Sequence, residues 1–284
     1  MANLDSLTIN DTGYLGLASG TTSQRPASPS DGYMRYNTDL DLIEVFYSSD
    51  WVDIATGNIV SVVTDGLVLY LDAGNSSSYP GSGTTWTDLS SSGNDASLIN
   101  GVSYSSASGG HLSFDGSNDY VSETSSLSDS FFQGNWTFSI WARFDVISTT
   151  TNGNSDEILL HHGSSSTRNG LHLVQRNSTI RLGLYADDLD AASTVTTNQW
   201  YNFVFTLNNS TYLKQIYINS SFENSNTGGG AYTGTGSNTR IAGQVLGFGT
   251  YLSGDIGIVM AYNKVLSSSE ISTNFNYFKD RYGL

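Results

Sequence analysis

Between Trp136 and Val146 the side chains alternate. Trp136, Phe138, Ile140, Ala142, Phe144 and Val146 fall on one face, and Thr137, Ser139, Arg143 and Asp145 fall on the other. Trp141 is the exception. A repeat of two over this length is the signature of a β-strand with one buried face, because successive strand side chains point to opposite sides. Shorter tracts of the same kind run through Leu171 to Arg176, Ile180 to Tyr185, Trp200 to Leu207, Leu213 to Asn219 and Asp255 to Tyr262. Gly, Ser and Asn separate them, residues that tolerate the positive φ of tight turns. One helix is predicted, near the end of the chain. Ser267 and Glu270 form a capping box, and Ile271, Phe275, Phe278 and Tyr282 make an apolar stripe. The pattern predicts an all-β sandwich closed by one short C-terminal helix. The segment 220–240, rich in Gly, Asn and Thr, reads as a long exposed loop.

Residues 1–57 read differently. They hold Pro26 and Pro29, and eight acidic residues against two Arg. Three short strands are expected, at 32–37, 43–47 and 51–54, with a turn at 37–39. So small a unit buries little core. Tyr33, Tyr36, Phe46, Tyr47 and Trp51 are therefore expected to be exposed and to form an oligomer interface with other copies of the chain. Residues 58–65 read as a connector, and 66–284 as the sandwich.

The formal charge is −15, with 11 basic residues scattered along the chain. Nucleic-acid affinity comes largely from Lys and Arg neutralising phosphates, so a DNA or RNA partner is not expected, nor is an anionic lipid surface. There is no cysteine, which excludes disulfides and thiolate chemistry. No apolar run approaches the ~20 residues of a membrane span. Met1 to Asn10 shows no secretion-signal pattern, and synthesis in the host cytoplasm is expected.

Two stretches resemble known families. Tyr14-Leu-Gly-Leu17, Gly20-Thr-Thr-Ser-Gln-Arg-Pro26, Gly32-Tyr-Met-Arg-Tyr-Asn-Thr38, Glu44-Val-Phe-Tyr47 and Trp51 resemble a short module near the start of tailed-phage fibre and appendage proteins. That resemblance implies a virion protein on the phage particle surface, usually a homotrimer, in contact with other virion proteins. Gly66-Leu-Val-Leu-Tyr-Leu-Asp-Ala-Gly-Asn75, Trp86-Thr-Asp-Leu-Ser90, Gly93-Asn-Asp95, Leu112-Ser-Phe-Asp-Gly-Ser-Asn-Asp-Tyr-Val121 and Gly254-Asp-Ile-Gly-Ile-Val-Met-Ala-Tyr-Asn263 resemble laminin G-like (LamG) domains of the concanavalin A-like lectin and glucanase superfamily. This implies a jelly roll of two curved sheets, binding of glycan or protein, and commonly a Ca²⁺ ion. Calcium takes 6–8 oxygen ligands. In the family the first and last strands run close together, which would bring Asp72, Asp88 and Asp255 within reach of one ion. Only Asp255 stands where the family often has two adjacent acidic residues.

A sugar site presents aromatic faces beside polar groups. Trp141, Tyr185, Tyr232 and Tyr251 are the candidate platforms. No catalytic residue is assigned. The Glu-x-Asp-x-x-Glu run of glucanases on this fold is missing, and Asp187-Asp188-Leu-Asp190 reads as a solvated turn. His161 and His162 are adjacent and, on a strand, point to opposite faces. His111 and His172 read as isolated. The reading is thus a phage capsid decoration, neck fibre or tail fibre that displays a lectin-like domain for adhesion to host glycan. The alternatives are a polysaccharide-degrading enzyme or enzyme-associated binding module, and a purely structural capsid cement.

Overall fold

A computed structural model describes residues 17–54, 61–123, 127–236 and 239–284. Tyr14, Leu15 and Gly16 of the first motif, and residues 58–60 of the expected connector, lie outside the described residues. The chain divides into two compact units, Met1–Val62 and Val63–Leu284.

In the first unit four strands form one sheet, in the order Ser19–Gly20, Met34–Asn37, Leu42–Tyr47, Asp50–Asp53. The first pair is parallel and the others antiparallel. Ser19–Gly20 was not anticipated, since two residues carry no periodicity. At the centre lies a charge rather than a hydrophobic cluster. Glu44 is fully buried and accepts from Arg25 Nε (3.2 Å) and Asn37 Nδ2 (3.1 Å), with Arg35 Nε at 3.5 Å. Tyr33 and Tyr47 are exposed, as expected for an interface, and so are Met34, Ile43 and Ile54. Tyr36 and Phe46 are half-buried. Trp51 requires a correction: it is buried, edge-on to Phe46 at 5.5 Å and beneath the Arg25 guanidinium at 5.6 Å. Its ring belongs to the fold of the unit and offers no face to another copy.

The second unit is a sandwich of two eight-stranded sheets. One sheet has the order Ser221–Thr227, Leu213–Ile218, Trp200–Asn208, Trp136–Phe144, Ser253–Tyr262, His111–Asp115, Ser103–Ser105, and Leu67–Asp72 also pairs with Ser253–Tyr262. The facing sheet has the order Asp188–Asp190, Thr179–Gly183, Gly170–Arg176, Glu157–Gly163, Arg240–Ile241, Tyr120–Glu123, Ala96–Ile99, Thr85–Trp86. The ladders between these strands are antiparallel, with one parallel bridge from Glu157 to Thr250, and alternation explains what fills the space between the sheets. Phe138, Ile140, Ala142 and Phe144 meet Leu171, Leu173, Ile180 and Leu182, all fully buried.

The central strand is buried on both sides. Its outward Trp141 is covered by the helix Ser268–Phe278 and the turn after it, stacking on Phe275 (5.6 Å) and Tyr282 (4.5 Å). The capping box at Ser267 and Glu270 is present and fixes where that helix starts. Gly257 sits at a shift of register in the neighbouring strand, and a Cβ there would meet Tyr282 Oη at 2.0 Å. A glycine at this bulge is what lets the Tyr282 ring lie against Trp141.

Three expectations need correcting. The strand ends at Phe144, and Val146 is 51% exposed. Ser221–Thr227, expected as loop, is an edge strand. Asp188–Asp190, expected as a turn, is also a strand, because Arg181 on the adjacent strand supplies the opposite charge. No helix among the described residues is long and apolar enough to cross a membrane.

Candidate functional site: a polar cleft on one outer face

The strands Glu157–Gly163, Gly170–Arg176, Thr179–Gly183 and Asp188–Asp190 turn most of their apolar side chains inward, with Ile158 and Val174 on the outer face. Their other outward side chains form a polar patch: His161, His172, Arg176, Arg181, Asp188 and Asp190. His161 and His172 are direct cross-strand partners, with ring centroids 6.4 Å apart. His172 lies over Gly183, where a Cβ would meet its Nε2 at 1.8 Å. Only a residue without a side chain leaves that space. His162 points the other way, stacked on Phe132 at 3.7 Å inside the sandwich.

Two aromatic rings wall this patch. Tyr185 and Ala186 have φ of 57° and 63°, the geometry of a tight hairpin turn. A bulky residue rarely adopts it, and such backbone strain concentrates at functional positions. Phe248, between Gly247 and Gly249, lies 5.2 Å from His161, 5.3 Å from His172 and 6.1 Å from Tyr185. Between them opens a cavity of about 260 Å³, with His172, Arg176, Asp188 and Asn154 also in its lining.

The charges around it are paired. Arg176 Nε donates to Asp156 at 2.7 Å and 3.0 Å. Arg181 holds Asp190 through two bonds (2.6 and 2.8 Å) and Asp188 through a third (2.8 Å). The His172 Nε2 and Asp188 Oδ1 atoms are 3.5 Å apart, buried, and each lacks a hydrogen-bond partner.

Burial pushes the His172 pKa down to about 3, with the nearby Arg176 charge adding to it, and holds His161 well below the usual imidazole range. Burial likewise takes His162 down to about 4. Each depressed imidazole contributes stability that is fully present above the unfolded value of 6.5 and is lost as pH falls through the folded value. Burial raises Asp156 and Glu157, and those two act in the opposite sense: their contribution is present below the unfolded values of 3.8 and 4.5 and is lost as pH rises through the raised ones. The melting temperature is therefore expected to fall as pH is lowered from 6.5 towards 4. The limiting slope is ~1.4 kcal/mol per pH unit for each histidine. A His172→Gln chain should give a shallower slope. An acid limb that is flat, or identical in the two proteins, would contradict this.

Of the expected platforms, Tyr185 is in the cleft and half-exposed. Tyr251 is half-exposed but pairs with Tyr120 at 6.3 Å, outside the cavity lining. Trp141 and Tyr232 are corrected: both are fully buried, Trp141 under the helix and Tyr232 with its hydroxyl 2.8 Å from His162 Nδ1. Neither has a face to offer a ligand.

The three carboxylates expected around calcium do not come together as ligands. Asp72 is held bidentately by Arg281 (3.0 and 2.7 Å). Asp88 accepts from the backbone N–H groups of Tyr70 (2.7 Å), Ser90 (2.9 Å) and Asn94 (2.8 Å). Asp255 accepts from Ser113 Oγ (2.6 Å) and Arg143 Nε (2.6 Å). Among the described residues no group of three or more His, Asp or Glu is placed to hold a metal ion. These oxygens face donors, and an Arg beside two of the three carboxylates is a poor neighbour for a cation, so the residues do not fit the ion.

Arg176 and Phe248 were not singled out from sequence, while His172 read as isolated and Asp188 as part of a solvated turn; sheet pairing sets His172 beside His161 and Asp188. The glycine pair around Phe248 in Leu246-Gly-Phe-Gly249 was the one local signal.

Residues 114–272 match the family model described as the concanavalin A-like lectin/glucanases superfamily. The chain belongs to this superfamily. Several solved structures share its fold at low identity. Trypanosoma rangeli sialidase in complex with sialic acid superposes with a TM-score of 0.57 at 20% identity, over 79% of this chain and 35% of the sialidase. Domain 4 of AbnA, a GH43 extracellular arabinanase from Geobacillus stearothermophilus, in complex with arabinotriose, gives 0.56 at 14%, over 74% of this chain and 98% of that domain. The binding domain of botulinum neurotoxin DC in complex with SialylT gives 0.56 at 13%, over 76% and 52%. The chain thus spans about a third of the sialidase. No curated protein matches it. At these identities the concanavalin A-like sandwich itself is what is shared.

Proposed function

We propose that this chain is a structural protein of a bacteriophage particle whose concanavalin A-like sandwich adheres to carbohydrate on the host surface. It binds in the cleft walled by Tyr185 and Phe248 and performs no chemistry on what it binds. The observation that carries this reading is the cleft itself: two aromatic walls, a buried polar floor and a cavity of about 260 Å³, close to the small end of the ~300–1,000 Å³ of ligand pockets. Its carboxylates are tied to Arg176 and Arg181, which suits positioning better than proton transfer. The arabinotriose and SialylT complexes of two fold neighbours support a carbohydrate ligand. The virion setting is supported by the resemblance of the first segment to phage appendage modules and by its exposed Tyr33, Met34, Ile43, Tyr47 and Ile54. In that setting the first unit joins three copies and meets other virion proteins, and three weak sites on one particle gain effective concentration.

The test is a glycan array at low and high Ca²⁺, paired with an assay for released reducing ends. Retention of oligosaccharide, unaffected by Ca²⁺, with no release is the expected outcome. Release would make the chain an enzyme. No retention would leave a structural cement.

A further inference from the structure

Resting on the reading of this cleft as a sugar site, we infer that it selects uncharged, hydroxyl-bearing sugars and rejects those carrying a carboxylate, because its floor is short of one hydrogen-bond donor. The His172 ring sits between two acceptors. Its Nδ1 is 3.4 Å from the Gly170 carbonyl oxygen and its Nε2 is 3.5 Å from Asp188 Oδ1. A neutral imidazole has one N–H. Whichever nitrogen carries it, the other presents a lone pair to an acceptor, and one contact has no hydrogen in it. Both Nε2 and Asp188 Oδ1 are buried without a partner, and His172 is 2% exposed. A buried acceptor left unsatisfied is costly, and that cost is removed when something supplies the hydrogen.

Two sources are available, a second proton on the ring or a donor from outside. Burial and Arg176 hold the imidazole neutral at pH 7, which leaves the outside donor. A sugar hydroxyl is one: its O–H donates to the Asp188 carboxylate, whose side chain is a quarter exposed, while its C–H face lies against Tyr185 or Phe248. A carboxylate is not. It brings two more acceptors to a floor already rich in them. The two guanidiniums beside it, on Arg176 and Arg181, are committed to Asp156 and to Asp188 with Asp190. An acidic sugar finds no unpaired cation there, on a chain whose formal charge is −15.

The experiment measures affinity of the full chain for matched pairs by calorimetry at pH 7: lactose against 3′-sialyllactose, and xylobiose against its glucuronic-acid-substituted form. Asp188→Asn is measured beside wild type. The asparagine keeps an oxygen for Arg181 and brings its own N–H to His172, so the shortage is filled from within. The neutral member of a pair is expected to bind at least tenfold more tightly than its acidic counterpart, and Asp188→Asn is expected to lose at least tenfold of the neutral affinity. Asp190→Asn removes the same charge from the same arginine without reaching His172, and a smaller loss is expected from it. The inference is overturned if the acidic member binds equally or better, or if Asp188→Asn matches Asp190→Asn, and the sugar site then stands without it. Binding of none of the four overturns both. A melting curve shows that each variant is folded.

Discussion

Replacing Trp141 by alanine is expected to destabilise the sandwich by about 3–5 kcal/mol, the cost of deleting a buried indole. Trp141 is fully buried and stacks on Phe275 and Tyr282, with Phe278 edge-on at 6.2 Å. The C-terminal helix contributes Ile271 and Phe278 as buried residues, and its seat on the sheet is largely this ring. The vacated space cannot be refilled by a strand held on both sides by ladders to Trp200–Asn208 and Ser253–Tyr262. In a domain of this size each kcal/mol moves the melting temperature by ~2–4 °C, so a drop of about 6–20 °C is expected by calorimetry. Trp141→Phe should drop it far less. A shift of under 3 °C for the alanine variant would mean that the helix is an ornament on the sheet.

Glu44→Ala should abolish the fold of the first unit. Among its described residues Trp51 is the one buried hydrophobic side chain, while Arg35, Asn37, Glu44 and Asp53 are buried polar ones. The unit is held by a charge network more than by a core. Removing one partner of a buried pair costs ~3–5 kcal/mol, because the remaining charge stays out of water. That is comparable to everything so small a unit can muster. Limited proteolysis of the full chain reads the effect directly. Cleavage within residues 17–54 is expected in minutes where wild type resists, with the sandwich fragment persisting. Glu44→Gln, which keeps the hydrogen-bond acceptor, should fall between. An unchanged digestion pattern would show that the exposed apolar residues, not the buried glutamate, organise this segment.

Much of the architecture was legible where apolar and polar side chains alternate along a strand, even where both faces end up covered. Trp136–Phe144, Gly170–Arg176, Thr179–Gly183 and Trp200–Asn208 all announce themselves by alternation. Glu157–Gly163 does not, since Ile158, Leu159 and Leu160 are consecutive apolar residues and a register shift near Ile158 breaks the period. Ser221–Thr227 fails for the opposite reason: an edge strand of Ser, Asn, Thr and Glu, largely solvated, carries no hydrophobic pattern. Trp141 looked like an interruption and so like a surface platform. Its partner is a helix more than a hundred residues later, which no local window contains.

The site was harder to see than the fold. Tyr185 stood out at a strand end. The importance of His172 depends on sheet order, which sets Asp188 beside it, and on a loop that returns Phe248 over it. Asp72 invited a metal because its answering charge, Arg281, lies 209 residues away in sequence. A cluster of oxygens in sequence says nothing about whether each already has a donor.

A crystal structure of the full chain soaked with the neutral oligosaccharide it binds best would place the ligand directly. One ring should stack on Tyr185 or Phe248, with a hydroxyl within hydrogen-bond reach of the Asp188 carboxylate. Sugar density at another rim of the sandwich, with this cleft empty at saturating ligand, would contradict the account.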